Sequence, residues 1–204
     1  MVSDKNQSVK RKTIDDNPGA PPKKGHWALG LKDAVKDPDM RVFRDDLIVI
    51  IKDKYPKARH HYLVLPHESL ASLKNVKSEH LSLLQHIDAE ARKFTAATHP
   101  GVVFRFGYHA IPSMAQVHMH AISDDFDSPC LKTKKHWNSF TTDYFIDSQE
   151  ILNKLAAHGR ISEISSSEGK RLLDSKLRCH KCDVEPPNIP KLKLHIRTHL
   201  TEKP

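Results

Sequence analysis

The sequence is poor in cysteine, glycine and aromatic residues, and it contains no long hydrophobic run. Three of its 204 residues are cysteine, seven are glycine, and aromatic residues make up 6%. Two cysteines stand in C-x-x-C spacing, so the odd total argues against a disulfide framework and for a reducing compartment. No apolar run approaches the ~18 residues of a membrane span, and no apolar segment near the start predicts a secretory signal. The sequence therefore predicts neither a transmembrane nor a secreted protein.

Positive charge is concentrated at the two ends of the chain. The formal net charge is +8, of which residues 1–24 carry +3, residues 170–204 carry +5 and residues 25–169 carry none. Two basic ends around a neutral body indicate a polyanionic partner, with plain solubility as the alternative. Residues 1–24 combine low apolar content with two basic clusters, which predict a disordered segment and a nuclear import signal. We therefore expect nuclear localisation, with the cytoplasm as a second location.

Hydrophobic patterning divides the remaining chain into a body and a small module. Alternating residues predict strands in RVFR, Leu47–Ile51, HHYLVLP, VVFRFGYHA and QVHMHAIS. Helical spacing predicts helices at Ser78–Thr98, with Ser78 as N-cap, and at Asp147–His158. The Ser/Gly-rich GRISEISSSEGK predicts a linker. We expect an α+β fold whose parts are a disordered segment (1–24), a catalytic body (25–160), a linker or helix (161–176) and a C-terminal module (177–204).

The C-terminal module carries the pattern Cys179-x2-Cys182-x12-His195-x3-His199. Two thiolates on a turn and two imidazoles one helical turn apart can close a tetrahedron around Zn²⁺. The spacing therefore predicts one structural zinc in a finger, and no catalytic metal is expected elsewhere. His180, between the two cysteines, is predicted to be exposed because the pattern already supplies four ligands.

A finger of this kind would contact DNA through its helix. Its base-reading positions correspond to Asn188, Lys191 and Leu194, and one finger spans only ~3 bp. A lone basic finger therefore favours a sequence-independent grip on nucleic acid over promoter recognition, with protein binding as the alternative. The expected DNA contacts are Asn188, Lys191, Lys193 and Arg197 in the finger and Lys54 and Lys57 in the body.

The run Gln116-Val-His118-Met-His120 is the most informative stretch of the sequence. On a strand, Gln116, His118 and His120 share one face, and the apolar residues between them share the other. Two such imidazoles can bind a metal, can attack phosphorus to form a phosphoramidate, or can be ordinary sheet residues. Phosphoryl chemistry also needs phosphate ligands and a proton donor, for which His109, Ser113 and the lysines of residues 132–135 are candidates.

This run resembles the motif of the histidine triad family, in which three histidines alternate with apolar residues; Gln116 replaces the first histidine. The segments GHWALGLK, KDKYPKARHHYLVLP, GYHAIPSM and DDFDSPCLKTKKHWNSF, followed by a finger, are similar to the branch that removes AMP from abortively ligated DNA ends. The resemblance spans about residues 25–199. It implies a histidine triad fold, an antiparallel sheet with flanking helices, and a DNA 5′-adenylate hydrolase that works through a histidyl-AMP intermediate.

Other activities remain open at this stage. Activity on guanylated ends, with GMP as product, is left undecided. A hydrolase of dinucleoside polyphosphates or adenosine phosphoramidates would explain the histidines but not the finger or the basic ends. A non-catalytic DNA-end binder is conceivable because Gln116 departs from the motif. The partners expected are DNA ends or nicks and the product AMP, and no membrane is expected.

The resemblance implies a role for each matched residue. His118 matches the nucleophile, and His120 matches the histidine that contacts phosphate oxygens. His109 matches the proton donor to the leaving 5′-phosphate, and His61 matches a supporting histidine. Gln116 is expected to tune the site, since its side-chain amide can still hydrogen-bond. The remaining matched residues are expected to bind nucleotide or phosphate: Trp27 and Leu31 at the adenine and DNA end, Asp53 at the ribose hydroxyls, Ser113 at the phosphate, and Lys132 or Lys135 as the neutralising cation.

Overall fold

The computed structural model describes residue 35 and residues 37–201. The expected basic segment and the matched residues Trp27 and Leu31 lie outside the described residues. In the part of the chain that is described, no helix is long and apolar enough to cross a membrane.

In the described part of the chain, six strands form one antiparallel sheet. They are β1 (Arg41–Arg44), β2 (Ile48–Lys52), β3 (His61–Pro66), β4 (Phe104–His109), β5 (Met119–Ser123) and β6 (Phe145–Asp147). Their order in the sheet is β1-β2-β3-β5-β4-β6, and every neighbouring pair is antiparallel. The predicted α+β class is confirmed, and β3 and β5, which carry His61 and His120, are the two central strands.

Five α-helices lie between residues 37 and 201 and accompany the sheet. They are α1 (Leu81–Thr98), α2 (Lys134–Thr141), α3 (Ser148–His158), α4 (Ser166–Asp174) and α5 (Ile189–Thr201). The carboxylate of Asp147 accepts the N–H of Gln149 at 2.8 Å, and Gly159 ends α3 at φ 68°, as the sequence predicts.

Several predicted boundaries are wrong, each because of a local hydrogen bond. The carboxylate of Asp45 accepts the N–H groups of Leu47 and Ile48, so this turn holds Leu47 and β2 starts one residue later. Ser78 is not the N-cap of α1 but the first residue of a 3₁₀ turn that precedes it. Residues 161–176, which the sequence predicts as a linker or helix, contain α4, whose first turn Ser165 caps by accepting the N–H of Glu168.

The two faces of the sheet carry different side chains. Val117, Met119 and Ala121 are buried in the large core beneath α1 and α3. His118 and His120 alternate with them and therefore face the other way. The predicted alternation is confirmed, although β5 itself starts only at Met119. This face, opposite α1, is where the candidate site lies.

The finger completes its core with aromatic residues of the body. Leu192 and Ile196 of α5 are buried in one cluster with Phe126, Trp137 and Phe140. The Nε1–H of Trp137 also donates to the carbonyl of Arg178 at 2.9 Å, at the entrance to the finger. Finger and body therefore share one hydrophobic core, although the sequence predicts them as separate parts.

His180 is buried, which makes the prediction of an exposed side chain wrong. Its side chain is 6% exposed, and its Nε2 lies 3.0 Å from the backbone carbonyl of Asp124 and 3.3 Å from its carboxylate. The ring stands edge-on to Phe126 and Trp137, with centroids 5.1 and 5.3 Å away. Spacing alone could not reveal this, because the partners of His180 come from the other part of the chain.

Candidate functional site

Four histidines from three segments meet on the face opposite α1. His61 comes from β3, His109 from the end of β4, His120 from β5, and His118 directly precedes β5. The ring centroid of His120 lies 5.0 Å from that of His118, 4.4 Å from that of His109 and 5.2 Å from that of His61. The structure thus brings together the three predicted catalytic histidines and the predicted supporting one.

The hydrogen bonds of this cluster fix the tautomers of two rings. The backbone N–H of Lys57 donates to Nδ1 of His61 at 3.2 Å, so a neutral His61 carries its proton on Nε2. That Nε2 lies 2.9 Å from Nδ1 of His120, which must accept. His120 therefore carries its proton on Nε2, a buried atom with no hydrogen-bond partner among the described residues. The Nε2–H of His120 is therefore free to donate a hydrogen bond to an anionic oxygen of a substrate.

His118 carries its proton on Nδ1, whereas His61 and His120 carry theirs on Nε2. Its Nδ1 lies 2.7 Å from the backbone carbonyl oxygen of Gln116, which can only accept, so Nδ1 carries the proton. Nε2 therefore holds the lone pair. This is the arrangement that a nucleophilic imidazole requires, since the carbonyl fixes the tautomer and stabilises positive charge on the ring.

Gln116 supports His118 through its backbone rather than its side chain. Its side-chain amide donates to the carbonyl of Glu68 at 2.8 Å, and a longer contact of 3.4 Å reaches the carbonyl of Pro66. The side chain therefore anchors the segment before β5 to the end of β3. The sequence predicts that the side-chain amide of Gln116 can make the hydrogen bond that supports His118. In the structure the backbone carbonyl of Gln116 makes it, and every residue has such a carbonyl.

Burial lowers the pKa of all four histidines. It brings the pKa of His61 to about 4 and that of His109 to about 3, helped for His109 by the charges of His118 and His61. Burial also lowers the pKa of His118 and His120, although for His118 the Gln116 carbonyl and Asp53 oppose the shift. All four rings are therefore neutral at pH 7.

Two phenylalanines enclose the histidines. The ring centroid of Phe140 lies 4.7 Å from that of His109, 5.2 Å from that of His120 and 5.4 Å from that of His61. Phe145 contacts His109 and His120 from 6.1 and 6.3 Å. No sequence signal singles out these two residues, because isolated aromatic residues in a helix and a short strand are read as ordinary core.

Asp53 and Lys57 are the charged groups at this site. One carboxylate oxygen of Asp53 lies 3.5 Å from Nδ1 of His61, and the other accepts the N–H of Tyr55 at 2.7 Å. Lys57 is half-buried, and burial lowers the pKa of its amine. Its Nζ donates to the backbone carbonyl of Tyr55, and its charge lowers the pKa of His61, His109 and His120.

The other predicted phosphate ligands lie further out. Lys135 pairs with the carboxylate of Asp174 at 3.8 Å. Lys132 lines a groove beside α5 together with Lys193 and Arg197. Ser113 is exposed, in the loop that joins β4 to the segment before β5.

The finger residues predicted to ligate zinc converge. The ligand atoms of Cys179, Cys182, His195 and His199 all lie within 4.8 Å of one another. Sγ of Cys182 is 3.1 Å from Nε2 of His195, and the two Nε2 atoms are 3.2 Å apart. Two thiolates and two imidazoles at these separations fit a structural tetrahedral zinc.

Several predicted DNA contacts are engaged within the protein. The side chain of Asn188 accepts the N–H of Lys191 at 3.0 Å and so caps α5. Nζ of Lys193 donates to the carbonyl of Ser128 at 2.7 Å, and Arg197 lies 3.6 Å from the carboxylate of Asp127. The predicted contacts that are exposed are Lys54, Asn188, Lys191 and Arg197.

Comparisons with known proteins agree with this geometry. The family model described as "Scavenger mRNA decapping enzyme C-term binding" matches residues 27–136, and that described as "C2HE / C2H2 / C2HC zinc-binding finger" matches residues 141–202. The aprataxin of Danio rerio is 53% identical, covering 86% of this chain and 54% of its own length. That of Gallus gallus is 49% identical, covering 87% and 56%. The chain thus spans about half the length of the curated relatives it matches.

Solved structures show the same fold. The crystal structure of the aprataxin ortholog Hnt3 in complex with DNA matches with a TM-score of 0.67 at 20% identity, covering 86% of this chain and 94% of that one. Hnt3 in complex with DNA and guanosine matches with a TM-score of 0.66 at 21% identity, covering 83% and 93%. The chain therefore belongs to the family described as "Scavenger mRNA decapping enzyme C-term binding", has the histidine triad fold, and is a relative of the aprataxins.

Proposed function

We propose that this chain is a DNA repair hydrolase that removes AMP from adenylated 5′ DNA ends and restores a 5′-phosphate. The observation that carries the proposal is the tautomer of His118, which leaves a lone pair on Nε2 beside the free Nε2–H of His120. The names of the relatives, among them a neighbour bound to DNA and guanosine, support DNA as the partner. Binding of guanylated ends and release of GMP belong to the same proposal.

The first chemical step transfers the adenylate to the protein. Nε2 of His118 attacks the phosphorus of AMP, an N–P bond forms, and the anhydride P–O bond breaks. The DNA 5′-phosphate leaves with the electron pair. The Nε2–H of His120 and the charge of Lys57 stabilise the phosphoryl oxygens. The Gln116 carbonyl stabilises the positive charge that His118 gains, and water then cleaves the N–P bond to release AMP.

His109 is the proton donor in this proposal. The backbone of Ser139 favours the protonated ring, and Nε2 is buried and unpartnered among the described residues. Its pKa of about 3 makes the ring neutral in the free protein. Anionic phosphates beside Nε2 would raise that pKa, so the proton is taken up with the substrate and passed to the leaving phosphate.

A zinc ion in the finger has a structural role in this account. Cys179, Cys182, His195 and His199 would hold it, and the ion would tie the turn after Leu177 to α5. The exposed Lys191 and Arg197 of α5, with Lys54 on the body, would contact DNA phosphates without sequence preference.

A nuclear location is expected from the basic clusters of residues 1–24. It is tested by imaging the tagged chain with and without these clusters.

The deciding experiment measures turnover on three substrates. A nicked duplex with a labelled 5′-AMP cap, diadenosine tetraphosphate and adenosine phosphoramidate are compared by kcat/KM. We expect AMP release from the nicked duplex with the highest kcat/KM. A preference for a small nucleotide would identify the histidine triad hydrolase alternative, and tight DNA binding without AMP release would identify a non-catalytic end binder.

A further inference from the structure

Ser128 is a buried residue on the loop between β5 and α2, and it is not one of the histidine cluster. Its hydroxyl accepts the backbone N–H of Cys130 at 3.1 Å and donates to the backbone carbonyl of Pro56 at 2.5 Å. Its own carbonyl accepts Nζ of Lys193, on the finger helix α5, at 2.7 Å. Ser128 therefore ties the loop after β5 to the loop before β3, 72 residues earlier in the chain.

The peptide group between Pro56 and Lys57 connects Ser128 to the histidine cluster. Its carbonyl accepts the hydroxyl of Ser128, and its N–H donates to Nδ1 of His61 at 3.2 Å. Because the carbonyl and the N–H belong to one rigid plane, a bond that fixes the carbonyl also fixes the direction of the N–H. A hydrogen bond at the carbonyl also polarises the group and strengthens its N–H as a donor. The hydroxyl of Ser128 therefore acts on His61 through a single peptide group.

His61 faces two groups that favour opposite tautomers. The N–H of Lys57 requires a lone pair on Nδ1, whereas the carboxylate of Asp53, 3.5 Å from the same nitrogen, attracts a proton to it. With the proton on Nδ1, Nε2 of His61 would have to accept across its 2.9 Å contact with Nδ1 of His120. His120 would then present a lone pair instead of an N–H at its unpartnered Nε2. The tautomers of the two rings are therefore linked, and one of the two arrangements provides no donor for the substrate.

We propose that Ser128 is a positioning residue, which holds the peptide group before Lys57 in the orientation that keeps a proton on Nε2 of His120. Its catalytic consequence rests on the proposed function, in which this Nε2–H stabilises the phosphoryl oxygens. Complete loss of such a donor lowers kcat by about 10²–10³-fold, so a partial change of tautomer in Ser128→Ala should lower it by about tenfold. The KM for adenylated DNA should change by less than about threefold, because the donor acts mainly on charge that develops in the transition state.

Histidine side-chain ¹⁵N NMR spectra of the whole, zinc-supplemented chain report the tautomers without any substrate. The spectra are recorded at pH 7, where the rings are neutral because burial lowers the pKa of each. In the wild type we expect a protonated Nε2 in His61 and His120 and a protonated Nδ1 in His118. In Ser128→Ala, His61 and His120 should shift towards a protonated Nδ1, whereas His118 should not change because the Gln116 carbonyl still holds its proton.

Ser148→Ala is the matched control. Ser148 is also a buried serine, and its hydroxyl donates to the carboxylate of Asp88 at 2.6 Å, between α1 and α3. The control should lose stability as Ser128→Ala does, since each variant gives up a buried hydroxyl with two hydrogen-bond partners. It should leave the tautomers of the three rings and kcat unchanged.

Unchanged tautomers in folded Ser128→Ala would overturn the inference, and so would a wild-type His61 with its proton on Nδ1. If Ser128→Ala does not fold, Ser128→Cys decides, because its thiol is similar in size and only a weak donor, so the same shift is expected. A tautomer shift with the kcat of the wild type would overturn the catalytic role. A tautomer shift in a chain whose wild type releases no AMP would support the control of tautomers by Ser128 and contradict the proposed function alone.

Discussion

Nδ1 of His118 lies 2.7 Å from the backbone carbonyl of Gln116, two residues earlier in the chain. The carbonyl can only accept, so it holds the proton on Nδ1 and leaves Nε2 as the nucleophilic atom. The motif of the family places a histidine at position 116, yet the group that orients His118 is the main chain. This explains how the site can keep its geometry with glutamine there.

Gln116→Ala should therefore be tolerated far better than a change at His118. The substitution removes the amide that bonds to the carbonyl of Glu68, and one such bond contributes about 1 kcal/mol. We expect kcat on adenylated DNA to fall by less than about tenfold, with stability lowered by a similar free energy. A loss of activity as complete as that of His118→Ala would show that the side chain itself takes part.

Loss of the zinc ligands should destabilise the body as well as the finger. Leu192 and Ile196 share a buried cluster with Phe126 and Trp137, and Trp137 donates to the carbonyl of Arg178. Cys179→Ser or chelation should therefore lower the melting temperature of the whole protein in one calorimetric transition. Lys191→Ala, on the exposed side of α5, is the control and should melt like the wild type. An unchanged main transition in Cys179→Ser would mean that the finger folds independently.

Gly107→Ala should damage the site from within the sheet. Gly107 lies opposite His120 in the pairing of β4 and β5, and a Cβ there would clash with the backbone carbonyl oxygen of Ile146 and stand 2.8 Å from the ring of Phe145. Displacing β6 and Phe145 from the site should cost about 1–3 kcal/mol of unfolding free energy or more, and kcat should fall. The control is Gly101→Asn, since Gly101 has open space around it and a φ of 78° that Asn accepts.

Stability should decrease as the pH falls below about 6.5. Burial lowers the pKa of His61 to about 4 and that of His109 to about 3, so between these values and ~6.5 the unfolded chain binds more protons than the folded one. Each such histidine should lower the unfolding free energy by about 1.4 kcal/mol per pH unit in that window. Urea unfolding at several pH values should show a shallower slope for His109→Asn, and an equal slope would contradict the assignment.

The sequence predicts most of the fold because the local signals agree with the packing. Alternation in Val117, Met119 and Ala121 gives the buried face of β5, and Asp147 with Gly159 gives the ends of α3. The boundary errors at Leu47 and Ser78 come from side-chain and 3₁₀ hydrogen bonds, which periodicity does not contain.

The site is predicted less completely because part of it is made by contacts between distant segments. The spacing in the sequence points to His118 and His120. It does not point to Phe140, a residue of α2 whose ring packs against His61, His109 and His120. The charge of Lys57 lowers the pKa of His109 because the fold brings these two distant residues near each other. The sequence predicts an exposed His180 because the finger pattern already supplies four ligands, and spacing cannot reveal its partner Asp124, which is 56 residues away in the chain.

The most direct test of the account is to trap the covalent intermediate. Wild-type protein and His118→Ala are mixed with a nicked duplex whose 5′-AMP cap is labelled at phosphorus, quenched under alkaline conditions, and analysed by mass for an adenylate adduct. We predict label on the peptide that contains His118 in the wild type, with neither adduct nor AMP release in the variant. Release of AMP by His118→Ala at the wild-type rate would contradict the account.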